Sequence, residues 1–398
     1  MYLTKEQERI LEGEEGEALS KMLQLIVKIG EVNGAEKLIS VNSAQIAGVS
    51  YLTVGDAIFS FFDMINKDNL KVKIPSWLNP AGMDMSRYKE MGIDSLFSKK
   101  QIQIIEEYKK LGIKDTLTCT PYLVGHEPKF GEHIAWSESS AVSMANSYFG
   151  ARTNREGGPS SLASALTGLT AEYGLHLPEN RKPELLIEVD AELESFADFS
   201  VLGFWFGENQ GGKIPFFKGI KQLSIEKAKS LSAAMAASGS VAMYHVEYFT
   251  PGYKKIKKED LTETIHFTEE EKKAIYERFK EQNNIDLIAI GCPHASKKEI
   301  KMIYNFVKSK QKKSDVDIMI FTSRRVLTDI ETISIVKELT KKGIKVYADT
   351  CMVVSPVTRQ SYRNIITNSS KAVFYLSKDK ETNVFLDTLE NILRRIVG

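Results

Sequence analysis

Three cysteines are the residues of this chain with the most distinctive chemistry. Cys119, Cys292 and Cys351 each lie at the end of a short apolar run that predicts a buried strand, and each is followed by a loop. Ligands of open α/β sheets bind just outside the carboxyl ends of the strands, so three such ends can bring three thiols together. Thiolates hold iron–sulfur clusters. We therefore predict that the three cysteines hold a cluster with one iron left open for substrate.

Other interpretations of the cysteines stay open at this stage. A lone buried cysteine usually behaves as a small hydrophobe. The C-x-x-C spacing that is typical of zinc and cluster sites does not occur in the chain. A structural zinc site would also use thiolates, but it would be colourless. The odd number of cysteines, without a secretory signal, argues against a framework of disulfides.

A dense polar stretch at 150–161 supplies a second group of candidate residues. Polar side chains are costly to bury without partners, so this stretch predicts either a solvent loop or contacts with a ligand. Arg152 and Arg155 suit a carboxylate or phosphate, which arginine binds through two parallel hydrogen bonds. Thr153 and Asn154 are predicted to donate to substrate oxygens. Residues 157–161 predict a helix N-terminus, which suits an anion.

Alternating strand and helix patterns indicate how these residues are positioned. We predict strands at 37–41, 70–74, 114–118, 241–246, 286–290, 317–321 and 345–348, and helices at 54–65, 101–111, 163–169, 297–307, 328–339 and 387–397. Such alternation is typical of parallel α/β layers. We expect an α/β domain at 1–125 with Cys119, a different middle segment at 126–283 with the polar loops, and an α/β domain at 284–398 with Cys292 and Cys351.

Composition excludes several classes of protein. Of the 398 residues, 53 are Lys or Arg and 52 are Asp or Glu, which removes the basic footprint of a nucleic-acid binder. No apolar run approaches the ~20 residues of a membrane span, so no membrane partner is expected. Neither a Walker A run nor a G-x-G-x-x-G after a strand is present, which disfavours phosphoryl transfer and nicotinamide chemistry. The charged N-terminus is no signal peptide, so we expect a reducing cytoplasm, where thiols stay available for metal.

Six motifs together resemble the aconitase X family. They are SAQIAGVSY at 43–51, LNPAG at 78–82, GEHIAWSESSA at 131–141, GARTNREGGPS at 150–160, GCPHAS at 291–296 and TCMVV at 350–354. The likeness extends over nearly the whole chain. It implies an aconitase-like α/β fold of several domains with parallel or mixed sheets, without the swivelling fourth domain.

The resemblance also implies a cofactor and a partner. In this family Cys119, Cys292 and Cys351 would be the ligands of a 4Fe–4S cluster, which is isolated as 3Fe–4S when the open iron is lost. The missing swivel domain would come from a separate small subunit, since nothing after Gly398 supplies it, so a heterodimer is expected. Arg152, Asn154 and Arg155 fall in a motif similar to the substrate-binding Arg-Asn segment of aconitase.

The activity implied by the resemblance is that of a hydro-lyase. One activity of the family removes water from (R)-mevalonate 5-phosphate, a small phosphorylated hydroxy acid, to give trans-anhydromevalonate 5-phosphate in an archaeal-type mevalonate pathway of isoprenoid biosynthesis. The alternative within the family is dehydration of cis-3-hydroxy-L-proline. An alternative of another class is a non-catalytic metal-binding or scaffold protein that kept the fold.

Polar residues at the predicted strand ends and in the motifs complete the predicted site. His133 and Glu138 are acid–base candidates, because both residue types serve that role, and Ser139 is the third catalytic candidate. The residues predicted to contact substrate are Ser43, Gly48, Ser50, Asn79, Ser137, Ser139, Arg152, Thr153, Asn154, Arg155 and Ser160.

Overall fold

The computed structural model describes residues 1–257, 259, 261–282, 284–311 and 316–397, without the side chain of Lys67. The α-helices in these ranges are α1 (Lys5–Leu11), α2 (Glu17–Val32), α3 (Tyr51–Val54), α4 (Ala57–Ile65), α5 (Ser95–Lys110), α6 (Ser139–Met144), α7 (Gly158–Thr167), α8 (Phe196–Gln210), α9 (Ile225–Ser238), α10 (Glu269–Arg278), α11 (Lys297–Val307), α12 (Arg324–Leu327), α13 (Ile330–Lys341), α14 (Pro356–Ser361), α15 (Ser370–Leu376) and α16 (Leu389–Ile396).

The strands of the same ranges are β1 (Leu38–Ser40), β2 (Ala44–Ile46), β3 (Ser76–Leu78), β4 (Ala135–Trp136), β5 (Leu169–Ala171), β6 (Leu185–Val189), β7 (Pro215–Lys218), β8 (His245–Val246), β9 (Glu263–Phe267), β10 (Leu287–Ala295), β11 (Asp317–Thr322), β12 (Ile344–Ala348), β13 (Asn364–Thr367) and β14 (Asn383–Leu386). They form three parallel sheets and one antiparallel pair, β1 with β5.

The first sheet is short and parallel, with the order β3-β2-β4. Helices α2, α4, α5 and α7 bury apolar faces against it, and α2 does so because Leu19, Met22, Leu23 and Ile26 recur at helical spacing. Polar loops follow each of its strands. The sheet therefore places the residues after β2, β3 and β4 along one edge.

Two strands predicted in this part are wrong. Residues 70–74 run without a ladder, although Val72 and Lys73 donate backbone hydrogen bonds to Leu111 and Ala165. Residues 114–118 form only an isolated bridge at Lys114. Leu117 has φ +45°, a left-handed conformation that a strand cannot include.

The middle of the chain contains a second parallel sheet, with the order β8-β7-β6-β9. The expectation of a different middle segment missed this α/β layer and its helix α8. That helix is buried almost throughout, so its sequence lacks the one-sided apolar pattern that predicts a helix. The strand predicted at 241–246 is reduced to its last two residues, β8.

The third sheet is parallel, with the order β12-β11-β10-β13-β14. The predictions of β10, β11, β12, α11, α13 and α16 are confirmed with shifts of a few residues. The strand order reverses between β10 and β13, and ligands of open α/β sheets bind at such a reversal. The pairing of β10 with β11 is interrupted between Ile290 and Ala295, so 291–294 bulge from the ladder.

One apolar core joins the second and third sheets to the end of the first. It runs from Trp77 and Trp136 through Phe204 and Phe217 to Phe321. None of the described helices is long and apolar enough to cross a membrane. The expected boundaries at 125/126 and 283/284 stay predictions, and residue 283 lies outside the described ranges.

The close packing of α8 on α9 gives a stability prediction. A Cβ added at Gly203 would lie 2.5 Å from the carbonyl oxygen of Leu231. Alanine normally stabilises a helix relative to glycine by about 1 kcal/mol, but overpacking a core costs up to about 3 kcal/mol. We expect Gly203→Ala to lower the free energy of unfolding by about 2 kcal/mol, the difference between these two effects, in denaturant titrations.

Gly212→Ala is the control for this substitution. Gly212 has φ +84°, and no atom lies within 4 Å of the position that a methyl group would take, so its change carries only a backbone cost of about 1 kcal/mol. A Gly203→Ala variant that equals the wild type in stability would contradict the packing described for these helices.

Candidate functional site

His294 connects the three segments that carry the cysteines. It lies in the bulge of β10 two residues after Cys292, and its backbone N–H donates to Sγ of Cys119 at 3.3 Å. Its Nε2 donates to the carbonyl oxygen of Thr350 at 2.8 Å, next to Cys351. Because a carbonyl only accepts, Nδ1 of the neutral ring accepts from the hydroxyl of Thr118 at 3.0 Å. The cysteine segments therefore meet around one buried side chain.

The segment of Cys351 is also held against the first sheet. The hydroxyl of Ser50 donates to the carbonyl oxygen of Val354 at 2.8 Å. The backbone N–H of Ala81 donates to the carbonyl oxygen of Asp349 at 2.8 Å. Arg324 pairs with the carboxylate of Asp349 on the same segment. These contacts bring the loops after β2, β3 and β12 to one place.

All three thiols are buried, and burial raises the pKa of each. The pKa of Cys292 rises to about 12, so at neutral pH these groups stay protonated unless a cation replaces the protons. Each sulfur also has a hydrogen-bond partner that favours the thiolate: the His294 N–H for Cys119, the Ser369 hydroxyl for Cys292 and the Val354 N–H for Cys351. Such donors are typical around the sulfurs of iron–sulfur sites.

The donor set fits a cluster better than a single ion. Within the described residues, no group of three or more His, Cys, Asp or Glu side chains is placed to hold one metal ion. In a cluster each thiolate binds a different iron, so the sulfurs lie farther apart than ligands of one ion. The thiols are nevertheless close enough for Cys351 to affect the pKa of both Cys119 and Cys292.

A buried ion pair, Glu138 with Lys371, lies beside the thiols. Burial alone would raise the pKa of Glu138, but attraction to Lys371 and hydrogen bonds from Lys371, Ser140 and Ala141 lower it overall. Burial alone would lower the pKa of Lys371, but attraction to Glu138, Cys292 and Cys119 raises it overall. Both groups are therefore charged at neutral pH, and they are close enough to affect the pKa of all three thiols.

Sequence reasoning missed Lys371. Its side chain is 9% exposed, and it follows β13, the strand across the order reversal from β10. Strand β13 was not predicted, so the polar run Asn368-Ser-Ser-Lys371 was not placed at a strand end. A predicted strand at 364–367 would have identified it, since polar residues after a strand are a signal of a site.

Several predicted substrate residues lie on the same edge as the thiols. Ser137 binds both sides of the loop after β2, since its hydroxyl donates to Gln45 O at 2.5 Å and accepts from Ala47 N–H at 2.7 Å. The backbone N–H of Asn79 donates to Ile46 O at 2.9 Å. The residues that this edge gathers are Gly48, Ser50, Asn79, Ser137, Ser139 and Ser160, the last because α7 begins against Ala47.

Other predicted residues lie at the opposite edge of the sheet. His133 precedes β4 and its carbonyl accepts from Asn42 N–H, where β2 begins. Arg152 bridges to His133, and its guanidinium donates to His176 O at 3.2 Å. Because the strands are parallel, this edge is the amino-terminal one. The structure therefore does not bring His133 and Arg152 to the thiols.

Four further predicted residues have contacts of their own. Thr153 and Asn154 are buried and bond to nearby backbone, the first to the Asn154 carbonyl and the second to the Tyr173 carbonyl. Arg155 is exposed and donates to Ala236 O at 3.2 Å. The hydroxyl of Ser43 accepts from the Trp136 indole inside the core.

This chain matches known proteins in both structure and sequence. A crystal structure described as Thermococcus kodakaraensis aconitase X (holo-form) matches with a TM-score of 0.93 and 45% identity over 100% of both chains. The fold is thus the α/β fold of aconitase X. Sequence models of the aconitase X first, second and third domains match residues 1–179, 183–277 and 285–398. The chain belongs to the aconitase X family, and the resemblance seen in its motifs is confirmed.

The similar proteins carry two different names. The phosphomevalonate dehydratase large subunit of Thermococcus kodakarensis is 45% identical over 395 residues, which cover 99% of this chain and 99% of that protein. The cis-3-hydroxy-L-proline dehydratase of Hypocrea jecorina is 30% identical over 379 residues, which cover 92% of this chain and 63% of that protein. Both names describe dehydratases, which are hydro-lyases.

Buried His176, which contacts the half-buried ring of His133, predicts a pH dependence of stability. Burial, with repulsion from His133, Arg181 and Arg152, lowers the pKa of His176 to about 3. A base whose pKa falls on folding adds stability above its unfolded value of about 6.5, and that stability is lost as the pH drops below 6.5. We expect the wild type to lose about 2 kcal/mol more than His176→Gln between pH 6.5 and 5.

Urea titrations at a series of pH values measure this difference. The offset between the two proteins at pH 7.5 reports the lost contacts, and the change in that offset with pH reports the titration. Parallel pH profiles would show that His176 is already accessible to protons in the folded chain.

Proposed function

We propose that this chain is the large, cluster-binding subunit of a phosphomevalonate dehydratase, which removes water from (R)-mevalonate 5-phosphate to give trans-anhydromevalonate 5-phosphate. The observation that carries the proposal is the meeting of three thiols with the Glu138–Lys371 pair at the strand-order reversal of the third sheet. Relatives with that name share 45% of their residues with this chain over nearly their full length. The lower identity to the hydroxyproline enzyme makes that activity the alternative.

The proposed cofactor is a 4Fe–4S cluster on Cys119, Cys292 and Cys351. When bound by three thiolates, it supplies a Lewis-acidic iron with an open position for the substrate hydroxyl. Lys371, held as an ammonium in a buried site, is suited to stabilise the negative charge that develops on the substrate carboxylate when the neighbouring carbon loses a proton. Glu138 fixes the position of that ammonium. The hydroxyl of Ser139 lies 3.5 Å from Oε1 of Glu138.

The remaining contacts with substrate are proposed along the edge after β2 and β3. The hydroxyl of Ser50 donates to Val354 O of the Cys351 segment, and Gly48 and Asn79 lie in the neighbouring loops after β2 and β3. A substrate bound near the thiols would lie against these loops. Ser137 and Ser160 support these loops. His133 and Arg152 are left out of this proposed site, because they lie at the amino-terminal edge of the first sheet. Arg155 stays a proposed substrate contact, because the backbone N–H of its neighbour Glu156 donates to Trp136 O at the carboxyl end of β4.

We also propose that a small subunit completes the enzyme. The relatives from archaea are named large subunits, which supports a separate partner. We propose that this partner supplies the base, as a swivel domain would. A reducing cytoplasmic location is proposed with it, since iron and thiolates need reducing conditions.

An anaerobic assay of the reconstituted protein tests the proposed activity. The chain is purified with and without a co-expressed small subunit and offered mevalonate 5-phosphate, unphosphorylated mevalonate and cis-3-hydroxy-L-proline. We expect dehydration of the phosphorylated acid only, at least a hundredfold faster with the partner. Turnover of hydroxyproline would overturn the substrate, and full activity of the lone chain would remove the partner from the mechanism.

His294 gives a prediction about cluster retention. Residues that orient metal ligands typically change metal affinity by about 10- to 100-fold when they are replaced. We expect His294→Phe, which keeps the ring volume but loses both ring hydrogen bonds, to release iron to a chelator at least tenfold faster than the wild type. Iron and sulfide per chain, with the visible absorbance, are the readout, and Cys351→Ser sets the level for complete loss.

Two further variants make this experiment decisive. Thr118→Val removes only one of the ring contacts and should give an intermediate rate, because the Thr350 contact remains. Ser164→Ala, which removes a buried hydroxyl on α7, should behave like the wild type. If His294→Phe retained iron as well as Ser164→Ala does, His294 would only fill space.

A further inference from the structure

A cavity of about 270 Å³ lies at the amino-terminal edge of the first sheet, where Arg152 is placed. Its described lining includes no carboxylate, and Phe130 with several prolines forms its apolar wall. The basic residues in the lining are Arg152, Arg181, Lys182, His245 and Lys255. A concave surface that carries several cations and no counter-charge attracts anions. The volume limits the ligand to a small molecule.

This cavity is distinct from the thiol site. Helix α6 is capped by Glu138, and the helical path continues through 145–149 to Gly150, which lines the cavity. The eleven residues 139–149, at about 1.5 Å each, place Glu138 and Gly150 about 16 Å apart. A group held at Arg152 therefore does not touch the Glu138–Lys371 pair.

Arg181 supplies a fixed charge at the back of the cavity. Its guanidinium donates to the carbonyl oxygens of Leu175, Asn146 and Ala151, at 2.9 to 3.0 Å. Burial and repulsion from Arg152 lower the pKa of Arg181 to about 10. The positive charges are thus close to each other and are not balanced by an acid among the described lining residues.

The other side chains leave donors and an unfilled position. Among the described residues, the guanidinium of Arg152 bonds only to His176 O, so most of its donors are available. His245 is buried and donates through Nε2 to Arg181 O at 2.9 Å, whereas its Nδ1 has no partner within the described chain. Buried polar atoms without partners are uncommon. Because Nε2 carries the proton, Nδ1 accepts, so its missing partner is a hydrogen-bond donor such as a water or the P–OH group of hydrogen phosphate.

We propose that this cavity binds a small phosphate dianion, either inorganic phosphate or the phosphate group of a monoester, at a site separate from the substrate site. Arg152 binds the anion through its guanidinium, which matches two phosphate oxygens at once. Lys255, which is exposed at the rim, adds a second charge, and Arg181 adds a field from behind. Binding at this cavity does not depend on the proposed dehydratase activity.

Calorimetric titration of the full-length protein at constant ionic strength tests the proposal. Inorganic phosphate and glycerol 3-phosphate are titrated separately, and saturable binding of either one supports the site, with the tighter of the two identifying the source. We expect Arg152→Gln to weaken binding at least tenfold and Lys255→Gln to weaken it several-fold. Lys28→Gln, the same charge change on the exposed face of α2, should leave binding unchanged.

A second measurement locates the anion and keeps the test independent of folding. Crystals soaked in tungstate should show anomalous density between Arg152 and Lys255. Lys255 is exposed, so its variant is expected to fold even if Arg152→Gln does not. Absence of saturable binding by the wild type, equal binding by Lys255→Gln and wild type, or density only beside the thiols would overturn the proposal.

Discussion

The rest of this structure depends on one ion pair buried in its core. Glu138 and Lys371 are buried together, and their charges affect the pKa of three buried thiols that resist ionisation. Removing one member of a buried pair leaves an uncompensated charge and costs about 3–5 kcal/mol. The pair comes from the first and third sheets, so it also fixes how these sheets face each other. A metal bound by the thiols would displace their protons and so add charge beside this pair.

The topology of the third sheet explains why the thiols and Lys371 meet. The strand order reverses between β10 and β13, which opens a crevice at their carboxyl ends. Gly291, with φ +103°, lets β10 leave its ladder there, since a Cβ would collide with the backbone of Phe321 at 2.1 Å. The bulge turns Cys292 and His294 towards the first sheet.

The sequence was informative where a residue type allows few explanations. Three cysteines at predicted strand ends and the β10–β12 region were identified from local patterns, and the structure gathers the cysteine segments around His294. Lys371 could not be predicted as a site residue, because its position depends on β13, a short strand without a strong hydrophobic pattern. Helix α8 escaped because burial on all sides removes the periodicity on which prediction relies.

Arg152 shows the opposite limitation. Its residue type and neighbours suggest an anion partner, but nothing local indicates which edge of the sheet it occupies. The parallel bridge to His133 decides this, and that bridge joins segments whose pairing cannot be read from either alone. The sequence thus predicts what chemistry a single residue can perform. Which residues come together depends on long-range strand pairing, which local patterns do not predict.

The meeting of segments at His294 has a consequence for biogenesis. Cys119 is translated long before Cys351 and Lys371, so the first ligand must wait as a free thiol while most of the chain is still being synthesised. The three cysteine segments come together only after the third sheet has packed against the first. Insertion of the proposed cluster would therefore be a late event, and a maturation factor would have to recognise a nearly folded chain instead of a nascent one.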